Sequence, residues 1–180
     1  MIYPTNTGKP GEHLRLSTLE SVWIQGKLRM WGRWSYIGSG KPGNMFNQLL
    51  TSKKLTKTAI NEALRRMKRA GLDKPELEAF LQDMINGKQK SWLAHCTDSE
   101  ALKIDGVIGE VLVDYPGLFN ILSQRYVGRG MSKLKMAETF NELHPELCLK
   151  TCRNRIDAWL NIAEYMLYIP MQNVFNVTRR

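Results

Sequence analysis

Residues 118–168, LFNILSQRYVGRGMSKLKMAETFNELHPELCLKTCRNRIDAWLNIAEYMLY, decide the fold. Leu118, Phe119, Ile121, Leu122 and Tyr126 cluster at helical spacing until Gly128-Arg129-Gly130 stops the run. Ser132 follows, a residue whose hydroxyl can accept from the free N–H groups of a helix's first turn. The helix it caps is expected to bury Leu134, Ala137 and Phe140. A polar turn covers residues 141–145. The third segment, residues 151–169, carries Ile156, Leu160, Ala163 and Leu167 at i, i+4, i+7 and i+11, one face of a 3.6-residue period. Pro170 is expected to end it, because proline lacks the N–H that the next helical turn needs.

Helix, short turn, a small Ala137 in the second helix, then a helix opening on Lys150, Thr151, Arg153, Asn154 and Arg155 is the layout of a helix-turn-helix. The small side chain lets the second helix approach the third. The third can then present donor-rich first turns to a major groove and its flanking phosphates. The alternative is an ordinary helical hairpin whose basic face is simply solvated.

The composition agrees with a nucleic-acid partner. The 180 residues carry a formal net charge of +9, with a pI near 9.6. A hydrophobic fraction of 43% is too high for a disordered chain. Residues 1–70 hold thirteen Lys and Arg against three acids, residues 71–128 five against nine, and residues 129–180 eight against five. Two basic ends therefore flank an acidic middle, the ends suited to nucleic acid and the middle to a scaffold or protein contact. Residues 1–16 have no apolar stretch of the kind an export signal needs, and no apolar run approaches 18 residues, so neither export nor a membrane is expected. Cys96, Cys148 and Cys152, an odd number, read as reduced thiols in a cytoplasm.

The rest of the chain reads as helix after helix, giving an all-α, multi-helix protein. Residues 1–16 form an arm. Ser17-Thr18-Leu19-Glu20 fits a capping box. The helix behind it is expected to bury Leu19, Val22, Trp23, Gly26, Met30 and Trp34, to leave Arg29, Trp31 and Arg33 outside, and to break near Gly32. Residues 44–70 read as a second helix-turn-helix: a short helix with Met45, Phe46, Leu49 and Leu50, a Thr51-Ser52-Lys53-Lys54 connection, then a strong helix over residues 57–70. That helix turns Ile60, Ala63, Leu64 and Met67 inward, ends at Gly71, and offers Lys57, Asn61, Arg65, Arg66, Lys68 and Arg69 as a second nucleic-acid face. Cations late in a helix also complement its dipole, so part of this charge has a structural explanation. Asp73-Lys74-Pro75-Glu76 opens another helix, and Thr97-Asp98-Ser99-Glu100 caps one that buries Val107, Ile108, Val111 and Leu112 before Pro116-Gly117. The organisation expected is an arm over 1–16, a basic subdomain over 17–87, a second subdomain over 88–170 after a boundary at Gly87-Lys88-Gln89-Lys90-Ser91, and a basic tail over 171–180.

Catalytic chemistry finds little footing. His144, Cys148 and Cys152 have a spacing that one helical face could turn towards zinc, but there is no Cys-x-x-Cys pair and Pro145 interrupts the register, so no metal is expected. A nuclease needs carboxylates converging on cations. Asp98, Glu100 and Asp105, with Asp83, Glu110 and Asp114 around them, are better explained as caps and solvated faces. Gly38-Ser39-Gly40-Lys41 lacks the spacing of a phosphate-binding loop. No cofactor and no enzymatic activity are expected.

Two patterns resemble known families. Arg125-Tyr126, Gly130, Ser132 and Ala137, then Arg153-Asn154-Arg155-Ile156-Asp157-Ala158 with Leu160, resemble the helix-turn-helix of sigma-factor region 4. The segment over residues 19–34, ending Trp31-Gly32-Arg33-Trp34, together with Gly43-Asn44-Met45-Phe46, resembles the Q-type late-gene antitermination proteins of lambdoid phages and prophages. That second resemblance implies a protein that binds double-stranded DNA overlapping a late promoter. It implies loading onto bacterial RNA polymerase holoenzyme, paused with sigma bound, and suppression of terminator hairpins at the RNA exit channel, close to nascent RNA. By position, Lys133, Lys135, Lys150, Thr151, Arg153, Asn154 and Arg155 take the DNA role, with self-association on DNA a further implication. Some Q-type proteins hold zinc through paired cysteines, and this sequence lacks those pairs. A plain helix-turn-helix regulator and a phage DNA-processing nuclease are the rival readings.

Overall fold

The computed structural model describes residues 16–38, 57–85 and 98–176. Among them are seven helices and no strand: α1 Thr18–Gly38, α2 Lys57–Arg69, α3 Lys74–Ile85, α4 Asp98–Leu112, α5 Pro116–Tyr126, α6 Lys133–Leu143 and α7 Leu149–Asn176. The expected all-α class holds. One core is built from Ile24, Leu28, Trp31 and Trp34 of α1, Ile104 and Ile108 of α4, Leu122 and Tyr126 of α5, Met136 and Ala137 of α6, and Cys152 through Met171 of α7. The expected short helix over residues 44–50, the connection at 51–54 and the boundary at 87–91 lie outside the described residues.

The caps form as the sequence predicts. Ser17 N–H donates to the Glu20 carboxylate at 2.7 Å. Asp73 and Glu76 cap α3 reciprocally, each side chain accepting the other's backbone N–H at 2.9 Å. Gly71, at φ 87°, closes α2 in the left-handed region.

Three expectations fail, each for a reason of packing. First, Leu19 is 82% exposed and Val22 is also exposed, whereas Ile24, Leu28 and Trp31 form the inner stripe of α1. This helix is apolar on several sides, so periodicity alone could not choose the face. Gly32 chooses it. A Cβ there would overlap the Tyr126 carbonyl, and the Gly32 carbonyl accepts the Gly128 N–H at 3.1 Å. The missing side chain is what lets α1 and α5 touch backbone to backbone, so α1 runs on through Gly32 to Gly38 instead of breaking. Second, Leu134 is 47% exposed and Met136 takes the core position beside Ala137. Third, α7 continues through Pro170 to Asn176. An interior proline costs about 3 kcal/mol. Beyond it Met171 is fully buried, and Phe175 packs edge-on to Trp23 with centroids 6.3 Å apart. Full burial of a side chain such as Met171 contributes about 1.5–3 kcal/mol, and the partly buried Val174 and Phe175 add to it, which together offset the proline.

Candidate nucleic-acid interface

The connection between α6 and α7 is tied at both ends. His144 N–H donates to the carbonyls of Phe140 and Asn141 at 3.0 and 3.2 Å, closing α6. The Asn141 side chain donates to the Leu147 carbonyl at 2.5 Å. The Phe140 ring lies 4.6 Å from the His144 ring and 5.3 Å, edge-on, from Trp159 of α7. At the other end of α6, Ser132 accepts from Lys135 N–H at 3.1 Å, the cap its sequence predicts.

Cys152, Ile156 and Leu160 anchor the first three turns of α7 in the core. The opposite face therefore looks out. Lys150, Arg153 and Asn154 are exposed, and Thr151 and Arg155 are half-buried on its flank. Among the described residues the side chains of Lys150, Arg153 and Asn154 have no hydrogen-bond or ion-pair partner. An ammonium, a guanidinium fork and a carboxamide on one exposed helix start can bind phosphates and read base edges.

The other residues singled out are differently placed. Lys133 Nζ lies 2.7 Å from Asp157 Oδ1, and Lys135 Nζ lies 3.5 Å from Glu138 Oε2, so both already have a carboxylate nearby. Arg155 lies near Glu146, whose carboxyl is held below its ordinary range first by its own backbone N–H and then by His144. On α2, Asn61, Arg65, Lys68 and Arg69 are exposed as expected, while Arg66 pairs with Glu62 at 3.1 Å. The side chain of Lys57 lies outside the described residues. Of the potential zinc ligands, Cys152 is fully buried and Cys148 Sγ lies 3.1 Å from Thr151 Oγ1. Of the potential nuclease acids, Asp105 accepts the Trp31 indole N–H at 2.9 Å, and that bond holds inside a ring the sequence placed outside.

Sequence reasoning missed one buried polar cluster. Glu164, 4% exposed, accepts from the Tyr126 hydroxyl at 2.5 Å and from the Gln25 carboxamide at 3.0 Å. Burial, and then the charge of Glu164, push the Tyr126 phenol well above its ordinary value. The signal was available: Glu164 follows Leu160 by four residues and precedes Leu167 by three, an acid on an otherwise apolar face.

A family model described as "Protein of unknown function (DUF1133)" matches residues 1–176. The chain belongs to that family. No curated protein matches the sequence. The DUF1133 chain is similar in fold to the solved transcription antitermination factor Q21, at 20% identity and TM-score 0.58 over 92% of this chain and 98% of that one. It is similar to Q21 in complex with Q21-binding-element DNA at 22% identity and TM-score 0.57, with the same coverage. It is also similar to the crystal structure of the bacteriophage 21 Q protein at 21% identity and TM-score 0.56. The expected likeness to the Q-type fold is therefore found along nearly the whole chain.

Proposed function

We propose that this DUF1133 protein is a Q-type transcription antitermination factor that binds promoter-region double-stranded DNA. α6, the tied connection and the start of α7 act as its helix-turn-helix, with Lys150, Arg153 and Asn154 as the principal contacts. Thr151 and Arg155 flank them, and Lys133 and Lys135 contribute at the phosphate backbone. Bound there, the protein loads onto paused RNA polymerase holoenzyme with sigma and suppresses termination at the RNA exit channel, close to nascent RNA. It has no catalytic activity of its own.

The observation that carries this reading is the coincidence of an outward donor set on α7, without a partner among the described residues, with a fold like that of Q21, a protein solved on its DNA element. The test is transcription by purified polymerase from the cognate late promoter through a terminator. Read-through should rise with the protein and fall when Lys150 and Arg153 are replaced by Ala. No gain in read-through with intact protein overturns the polymerase step. Tight binding to the promoter without read-through would leave a plain helix-turn-helix regulator.

A further inference from the structure

From the start of α5 to Lys135 of α6 every charged residue is basic, Arg125, Arg129, Lys133 and Lys135, and the first acid is Glu138. The first two of these cations do not simply point into solvent. Together with Arg29 and Arg33, one turn apart on α1, they line a cleft of about 190 Å³ between α1, the α2–α3 turn at Gly71 and the α5–α6 loop. Three glycines make this convergence. Gly71, at φ 87°, lets the loop approach, since a Cβ there would lie 3.1 Å from the Arg129 Cα and 3.3 Å from its Cγ. Gly128, at φ 66°, would set a Cβ 2.9 Å from the Tyr36 ring. Gly130, at φ 67°, would overlap the Arg125 carbonyl.

The charge in the cleft is only partly answered. Arg33 pairs with Glu76 at 3.2 Å and reaches the Gly71 carbonyl at 3.5 Å. Arg125 donates to the Met131 carbonyl at 2.8 Å, a neutral acceptor. Arg29 and Arg129 are exposed, with no hydrogen-bond or ion-pair partner among the described residues. Glu164 lies behind Tyr126 and is taken up by Tyr126 and Gln25. Among the described residues, four guanidinium groups converge on this cleft and Glu76 is the carboxylate that pairs with one of them, so the wall carries an excess of positive charge. Like charges are brought together at a cost unless an anion joins them, and planar guanidinium forks match a phosphate's oxygens.

We infer that this cleft seats a backbone phosphate of the same DNA duplex that α7 reads, and so serves as a second anchoring point for it. The inference rests on the DNA-binding reading above. Its ground is continuity: Arg125 and Arg129 run directly into Ser132, Lys133 and Lys135 at the N-terminus of α6, where free N–H groups also favour anions. The cleft is large enough to admit a phosphate group, and guanidinium groups and glycine backbone make up most of its lining, with Ala70 and Tyr126 its apolar members.

The test uses the full chain and a 20-base-pair duplex of arbitrary sequence, titrated over a range of salt. Arg29→Gln with Arg129→Gln keeps the stem of Arg129 against Gly71 and removes both forks. Melting temperature should not change. Affinity should fall, and the slope of log affinity against log salt should flatten by about one unit per lost phosphate contact. Arg29→Lys with Arg129→Lys should keep most of the slope and lose affinity. A parallel titration with single-stranded RNA of the same length should show little change. Unchanged affinity and slope in the double Gln variant, while Lys150→Ala with Arg153→Ala loses binding, overturns this anchoring point and leaves the α7 reading standing. Loss confined to RNA overturns its assignment to the duplex. A wild-type protein that binds no duplex at low salt overturns both.

Discussion

The ammonium of Lys133, at the start of α6, lies 2.7 Å from the carboxylate of Asp157, two turns into α7. Both side chains are nearly half exposed, so the pair contributes little to stability. Its effect is on charge: an acid sits beside the donors of the proposed DNA face. Asp157→Asn should strengthen binding to duplex DNA about twofold to fivefold at low salt, the range that an exposed charge contact of about 0.4–1 kcal/mol sets. Fluorescence anisotropy over a salt series checks this, and the gain should vanish at high salt.

Arg153 and Lys150 are expected to act chiefly on phosphates, and Asn154 on a base. Replacing both cations with Ala should weaken specific and non-specific duplexes alike and flatten the salt slope by about two units. Asn154→Ala should instead cost about 1–3 kcal/mol on the preferred sequence and little elsewhere. Binding selections on a randomised duplex separate the two effects. Arg155→Ala should do less than Arg153→Ala, because Arg155 is half-buried and lies near Glu146.

Much of this was legible in the chain, and the failures have a common cause. Ser132, Ala137, Ile156, Leu160 and the outward Arg153 and Asn154 could be placed because capping and a 3.6-residue period act locally. Trp31, Leu134 and Pro170 could not, because each is decided by a partner distant in sequence. Asp105 accepts the Trp31 indole, Met136 rather than Leu134 fills the core, and Trp23 packs on the helix beyond Pro170. The cationic cleft was invisible for the same reason, since its four arginines come from two separate stretches.

Gly32→Ala tests the closest helix contact. Alanine gains about 1 kcal/mol of helix propensity. Its Cβ would overlap the Tyr126 carbonyl, backbone that cannot turn aside. Overpacking of this kind costs about 1–3 kcal/mol or more, so the variant should melt several degrees lower despite its better propensity. The change Gly26→Ala, where a Cβ meets nothing within 4 Å, should raise the melting temperature slightly and serves as the control.

The Tyr126–Glu164 pair should make stability fall in alkali. Burial first, then Glu164, raises the folded phenol above the value of about 10 that it has when unfolded. Its contribution is therefore complete below pH 10. Above that, the unfolded chain releases a proton that the folded chain keeps, and stability drops by up to about 1.4 kcal/mol per pH unit. Denaturant titrations from pH 8 to 11 on the wild type and Tyr126→Phe should diverge above pH 10, the variant being the flatter. Glu164→Ala should cost about 1–3 kcal/mol at neutral pH by leaving Tyr126 and Gln25 without their acceptor.

Cys148 offers a reporter at the same surface. It is exposed, and the Thr151 hydroxyl, then the Thr151 N–H, hold its thiol below the ordinary range, whereas Cys152 is fully buried. A maleimide should modify Cys148 and spare Cys152, and the adduct, two residues from Lys150, should block duplex binding. Bound duplex should in turn protect the thiol, which mass spectrometry of peptides reads directly.

At 28 residues α7 is a rod about 42 Å long. Lys150 stands near one tip and Phe175, with Lys27 3.9 Å above its ring, near the other. The proposed DNA face and the contact with the first helix therefore lie at opposite ends of one continuous helix. Between those two ends Pro170 leaves one rung of the backbone ladder unmade, so the helix that starts at the proposed DNA face and ends against the first helix is held straight there by its packing, not by its own hydrogen bonds.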